Sequence, residues 1–173
     1  MSLRFRAIAL VAASLTAALS ASLASSAALA ASPNAAELPT THVLTLAAAR
    51  IIANDATSDA TLRGTPGAVA IVDAGGHLLL LERMDGASAA FADIATGKAR
   101  TAALFKAPTK KLEAAINGGR PAAITAGLTM MNGGEPIVFD GQVIGAIGVS
   151  TAVPPNDAPI AEQASQALVH VAP

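Results

Sequence analysis

Pro136-Ile137-Val138-Phe139-Asp140-Gly141-Gln142-Val143-Ile144-Gly145-Ala146-Ile147-Gly148-Val149 is two β-prone runs joined by Asp-Gly, a dipeptide that readily supplies the positive φ angles of a tight hairpin turn. Upstream, Ala68-Val69-Ala70-Ile71-Val72 and His77-Leu78-Leu79-Leu80-Leu81 flank the turn cluster Asp73-Ala74-Gly75-Gly76 and predict a second hairpin. Leu78 to Leu81 is unbroken rather than alternating, which predicts a strand covered on both faces or lying at an oligomer contact.

Helical periodicity surrounds the hairpins. Leu44, Ala48, Ile51 and Ile52 share one face of a first helix, with Thr41 or Thr45 as N-cap and Gly64-Thr65-Pro66-Gly67 as the stop. From Phe91 to Lys106 the spacing places Phe91, Ile94, Ala95, Ala102 and Phe105 on one side of a second helix. Pro108 interrupts it, and Thr109 caps a short segment from Lys110 to Ile116 that Asn117-Gly118-Gly119 ends. Pro121 to Met131 reads either as a helical turn feeding a strand or as an ordered loop. A last helix is predicted from about Ala158 to Val169, with Asp157 as cap and Ile160, Ala164 and Leu168 as its buried stripe. Two hairpins separated by helices predict an α+β domain with an antiparallel sheet, not a parallel Rossmann sheet.

Composition narrows the function classes. The chain has 173 residues, 53% hydrophobic and 13% charged, which suits one compact domain. Its net charge of −1 gives no global field for nucleic acid. Aromatic content of 2%, without Trp or Tyr, removes the stacking platforms that single-stranded bases need. The absence of cysteine excludes disulfides, thiolate metal sites and a cysteine nucleophile.

Residues 1–30 read as a signal peptide: Arg4 and Arg6 precede an uncharged apolar run, and Ala28-Leu29-Ala30 fits the small-x-small cleavage rule. Residues 31–40 read as a flexible mature start and 41–173 as a single domain. The expected location is periplasmic or secreted, with no membrane association after cleavage. Removal would leave 143 residues with 9 basic and 12 acidic side chains.

Within that acidic chain, all four lysines, Lys98, Lys106, Lys110 and Lys111, fall within fourteen residues, together with Arg100. Lys98 follows Phe91 by seven positions and so projects into the apolar stripe of its helix. Either its stem lies on the core while the ammonium snorkels out, or the amine meets an anionic ligand group such as a carboxylate. Gly145 and Gly148 inside an otherwise strong strand mark a close neighbour, either a packed helix or a ligand. Ser150 lacks the G-x-S-x-G elbow, and His42, His77 and His170 show no paired ligand spacing, so no catalytic triad is argued. His42 and His77 are candidate metal or heme ligands, ahead of Met84, Met130 and Met131. Asp73, Asp85 and Asp140 each sit beside glycine and read as turn residues.

Six segments together carry a family likeness: Ala70 to Leu78, Arg83-Met84-Asp85-Gly86-Ala87, Lys98-Ala99-Arg100-Thr101-Ala102, Ala107-Pro108-Thr109, Gly133-Gly134-Glu135-Pro136, and Asp140 to Ser150. In that order, from about Leu44 to Leu168, the chain resembles the GlcG/HbpS family of heme-binding proteins. The resemblance implies a profilin-like domain, a five-stranded antiparallel sheet flanked by helices, assembled into homo-oligomers. It also implies heme as a ligand in exported members, with the segment from Lys98 to Thr109 facing it. Lys98, Thr101, Lys106, Thr109 and Lys110 are then the candidate ligand-binding residues. Thr109 stands where the iron would approach, with His42 and His77 as competitors.

The expected function is non-covalent binding of heme, or of a similar apolar ligand whose carboxylates pair with the lysines. The alternative is an enzyme or accessory protein acting on a small organic acid in a catabolic pathway. A non-enzymatic role is the first expectation.

Overall fold

The computed structural model describes residues 40–170, so the expected signal peptide and most of the flexible mature start lie outside the described residues. Helix α1 (Leu46–Leu62) opens at Thr45, whose hydroxyl accepts from the Ala48 amide at 3.2 Å, one of the two caps expected. Strands β1 (Gly67–Asp73) and β2 (Leu78–Arg83) form the first hairpin. Helix α2 spans Ala90–Phe105 and α3 Thr109–Asn117. Strands β3 (Gly134–Phe139) and β4 (Gln142–Thr151) form the second hairpin, followed by α4 (Asp157–Ser165) and a 3-10 turn at Ala167–His170.

The sheet is antiparallel throughout, in the order β2-β1-β4-β3. Among the described residues, four strands stand where the resemblance implies five. Pro121 to Met131 supplies no strand: Pro121 starts a 3-10 turn to Ala126, Gly127 follows at φ 69°, and the stretch lacks apolar alternation. At the β3–β4 turn, Asp140 (φ 48°) and Gly141 (φ 73°) are both left-handed, and Phe139 pairs with Gln142 across it. That is the two-residue loop expected of Asp-Gly.

Side-chain size divides the two faces. Val69, Ile71, Ile137, Ile147 and Val149 point toward α1 and α4 and make the main core with Ile52 and Ile160. Ala68, Ala70, Val72 and Ala146 point toward α2, which answers with Ala95, Ala99, Ala102 and Ala103. Small against small lets α2 lie close on the sheet. A Cβ at Gly148 would strike the Ala95 carbonyl and come 2.5 Å from the Ala99 amide nitrogen. The neighbour of Gly148 is therefore a helix.

Three local expectations are corrected. Phe105 is 46% exposed because α2 ends there, at the left-handed Lys106 (φ 50°). The last α-helix stops at Ser165, short of Val169. β2 is an edge strand and not covered on both faces within the described residues: Leu79 and Leu80 pack on the core, while Leu78 and Leu81 remain exposed.

Candidate functional site

Helix α2 drives Lys98 into the interior, where its side chain is 2% exposed. The ammonium donates to the Val149 carbonyl at 2.9 Å and to Asp157 Oδ2 at 2.7 Å. The carboxylate that meets Lys98 is thus internal, on the first residue of α4. Asp157 Oδ1 accepts from both the Thr151 amide (2.9 Å) and the Thr151 hydroxyl (2.7 Å). Asp157 was expected to cap its helix; it ties the helix start to α2 and β4 instead.

Gly133 and Gly134 seal this network. Gly133 sits at φ 109° and accepts from the Val149 amide at 2.8 Å, and a Cβ there would lie 2.7 Å from Asp157 Cβ and 3.1 Å from Lys98 Nζ. The Gly134 amide donates to Thr109 Oγ1 at 2.8 Å. Thr109 is fully buried, so the structure gives its hydroxyl an internal partner rather than an open face. Thr101, also fully buried, donates to the Gly97 carbonyl.

Beside the ion pair lies a cleft of about 320 Å³. Phe91, Ile94, Met131, Pro154 and Pro155 form its apolar walls, and Lys98 and Asp157 lie at its polar side with Glu113, Asn132 and Ser150. Asn132 Oδ1 is buried without a hydrogen-bond partner. A larger groove of about 660 Å³ between α1 and α4 is lined by Asp55, Gln163 and Gln166 and has no basic side chain. On β3, burial pushes the Glu135 carboxyl up to about 7; Glu162 adds to the rise, and Lys110 and Lys111 oppose it.

The remaining lysine and histidine candidates are exposed. Leu104, Phe105, Lys106 and Lys110 face solvent where α2 gives way to α3. The β1–β2 turn abuts this end of α2, since a Cβ at Gly76 would lie 3.1 Å from Arg100 Cγ and 3.5 Å from Leu104 Cγ. That turn carries His77, whose Nδ1 lies 3.4 Å from Asp73 Oδ1. The backbone amides of His77 and Gly75 hold the Asp73 carboxyl below its ordinary value. His42 lies apart on the β3–β4 hairpin, edge-on to Phe139 with ring centroids 5.1 Å apart and 3.6 Å from Asp140. Among the described residues, no three His, Asp or Glu side chains converge as a metal site.

Sequence comparison decides the family. The family described as haem degrading protein HbpS-like matches residues 44–166. The chain belongs to this HbpS-like family. Escherichia coli GlcG (strain K12) is 53% identical over 83 residues, 47% of this chain and 62% of that protein, so the match spans under two thirds of the relative. Among solved structures, a double mutant of Streptomyces reticuli HbpS superposes with TM-score 0.69 at 32% identity, covering 83% of this chain and 98% of the other. A PduOC–heme complex gives TM-score 0.66 at 27% identity, covering 73% and 95%.

The HbpS-like match contains every member of the buried network, but sequence reading reached only part of it. Lys98 was singled out for its place in the apolar stripe, its ammonium expected either to snorkel out or to meet a ligand carboxylate; the ammonium is buried against Asp157. Its partner was missed because Asp157 is 59 residues away and stands where a helix cap belongs. Glu135, Asn132 and Glu113 carried no pattern of their own; Glu135 was visible only as part of the Gly133-Gly134-Glu135-Pro136 segment.

Proposed function

We propose that this HbpS-like protein is an exported, non-enzymatic heme-binding protein that holds heme non-covalently on the exposed corner between α2 and α3, as a homo-oligomer. The observation that carries the reading is that corner. Leu104 and Phe105, each 46% exposed, put two neighbouring apolar side chains on the surface at this corner, and the exposed Lys106 and Lys110 stand beside them as cations for propionates. Membership of a haem-related family and the structural likeness to a heme complex support the same ligand.

The residues fit the group. The His77 side chain is 84% exposed, with Nδ1 3.4 Å from Asp73 Oδ1, so its ring is accessible to a metal-bearing ligand. Bound heme would supply an iron centre at this corner; His77 would hold the metal, the lysines and Arg100 the propionates. Lys98 and Thr109 have internal partners and support the corner from below rather than touching the ligand.

Hemin titration followed by the Soret band tests this reading. A saturable shift is expected, weakened by His77→Ala and by the double change Lys106→Ala with Lys110→Ala. Absence of a saturable shift at micromolar protein removes it.

A further inference from the structure

The cleft beside α2 is a separate feature, and its charge differs from that of the α2–α3 corner. Lys98 would make it a site for anions if the ammonium were unpaired. At 2.7 Å from Asp157 its charge is cancelled, and both Asp157 oxygens are already engaged. What remains is acidic and accepting. Glu113, half-buried on the wall contributed by α3, forms no ion pair among the described residues. Asn132 Oδ1 is buried and has no donor. An acceptor in that condition costs free energy until something donates to it. Phe91 adds an aromatic ring, and Ile94, Met131 and Pro154 add apolar wall.

A carboxylate would meet Glu113 as a like charge and would leave Asn132 Oδ1 unsatisfied. A protonated amine meets both needs, and a short alkyl stem suits the walls. The cleft volume of about 320 Å³ matches a small molecule rather than a macrocycle.

We propose that this cleft binds a small organic cation, a primary ammonium on a short apolar stem, with Glu113 and Asn132 accepting from its N–H groups. Lys98 and Asp157, paired with each other, form a neutral floor. The site is independent of heme binding.

The test uses three probes of one size: propylammonium, propan-1-ol and propionate. Each is titrated into the purified chain while the Met131 methyl and the Asn132 and Ser150 amides are followed by NMR. Propylammonium is expected to give a saturable shift at millimolar concentration, and the other two none. Glu113→Gln should weaken it about tenfold, and Asn132→Asp should tighten it several-fold, since the second change adds a negative charge beside the same acceptor. Should Asn132→Asp fail to fold, Glu113→Gln carries the test by itself, because its side chain is only half-buried. Propionate or propan-1-ol binding as tightly, no saturable shift with propylammonium, or an unchanged affinity in folded Glu113→Gln would each overturn the proposal.

Discussion

Lys98 Nζ lies 2.7 Å from Asp157 Oδ2, and both side chains are at most 3% exposed, so one ion pair joins the middle of α2 to the first residue of α4 across the end of β4. Two charges taken out of water repay their desolvation only when geometry and further hydrogen bonds are good. Here the Val149 carbonyl and the Thr151 amide and hydroxyl complete the set.

Removing one partner strands the other charge in the interior. Lys98→Ala or Asp157→Ala alone is expected to cost about 3–5 kcal/mol of unfolding free energy. Exchanging both residues for apolar ones of similar volume, Lys98→Met with Asp157→Leu, is expected to cost less than the sum of the two single changes. Urea denaturation of the four variants checks this. Additive losses would mean that the pair is not coupled.

Stability should also follow pH through Glu135. Its carboxyl is raised from 4.5 to about 7, so the folded chain keeps a proton that the unfolded chain releases. The favourable contribution of the neutral form is therefore complete below about 4.5 and is lost as pH rises through about 7. Glu135→Gln, which stays neutral, should match the parent near pH 4 and exceed its stability at pH 8, on the order of 1–3 kcal/mol. Parallel stability curves across that range would refute the assignment.

The hairpins and the helix faces were legible because they are local: Asp140-Gly141 forces its own turn, and the period of α2 put Lys98 inside before any contact was known. The site was less legible because its members meet only through the fold. Thr109 illustrates the difference. It was expected to cap a helix beginning at Lys110, but it is the first residue of α3 with Pro108 at the cap position, and its hydroxyl accepts from the Gly134 amide, 25 residues on, instead. Likewise, Gly148 announced a close neighbour, and only the packing of α2 named it.

That packing gives a sharp test. Gly148→Ala places a methyl against the Ala95 carbonyl and the Ala99 amide, backbone that no side-chain rotation can move aside. The helix must lift from the sheet, and overpacking of this kind costs about 1–3 kcal/mol or more. Gly141→Ala, at a position where a Cβ meets nothing but φ is 73°, should cost less, about 1 kcal/mol from backbone strain alone. Thermal unfolding of the two variants ranks them; the reverse order would show that α2 does not sit as close as Gly148 implies.

The last prediction separates support from contact at the proposed heme corner. Thr109→Val keeps the shape of a buried side chain but removes the acceptor for the Gly134 amide, leaving an unsatisfied N–H in the interior. Its cost is expected to be about 1–3 kcal/mol in stability, with hemin affinity unchanged at temperatures where the variant remains folded. Lys106→Glu together with Lys110→Glu should do the opposite: both side chains are exposed, so stability changes little, while hemin binding weakens and its salt dependence reverses, because salt now screens repulsion instead of attraction. Paired denaturation and Soret titrations of the two variants decide the matter. If Thr109→Val abolishes the Soret shift in a folded protein while the charge-reversed variant binds normally, the ligand lies at the threonine and the α2–α3 corner is not the heme site.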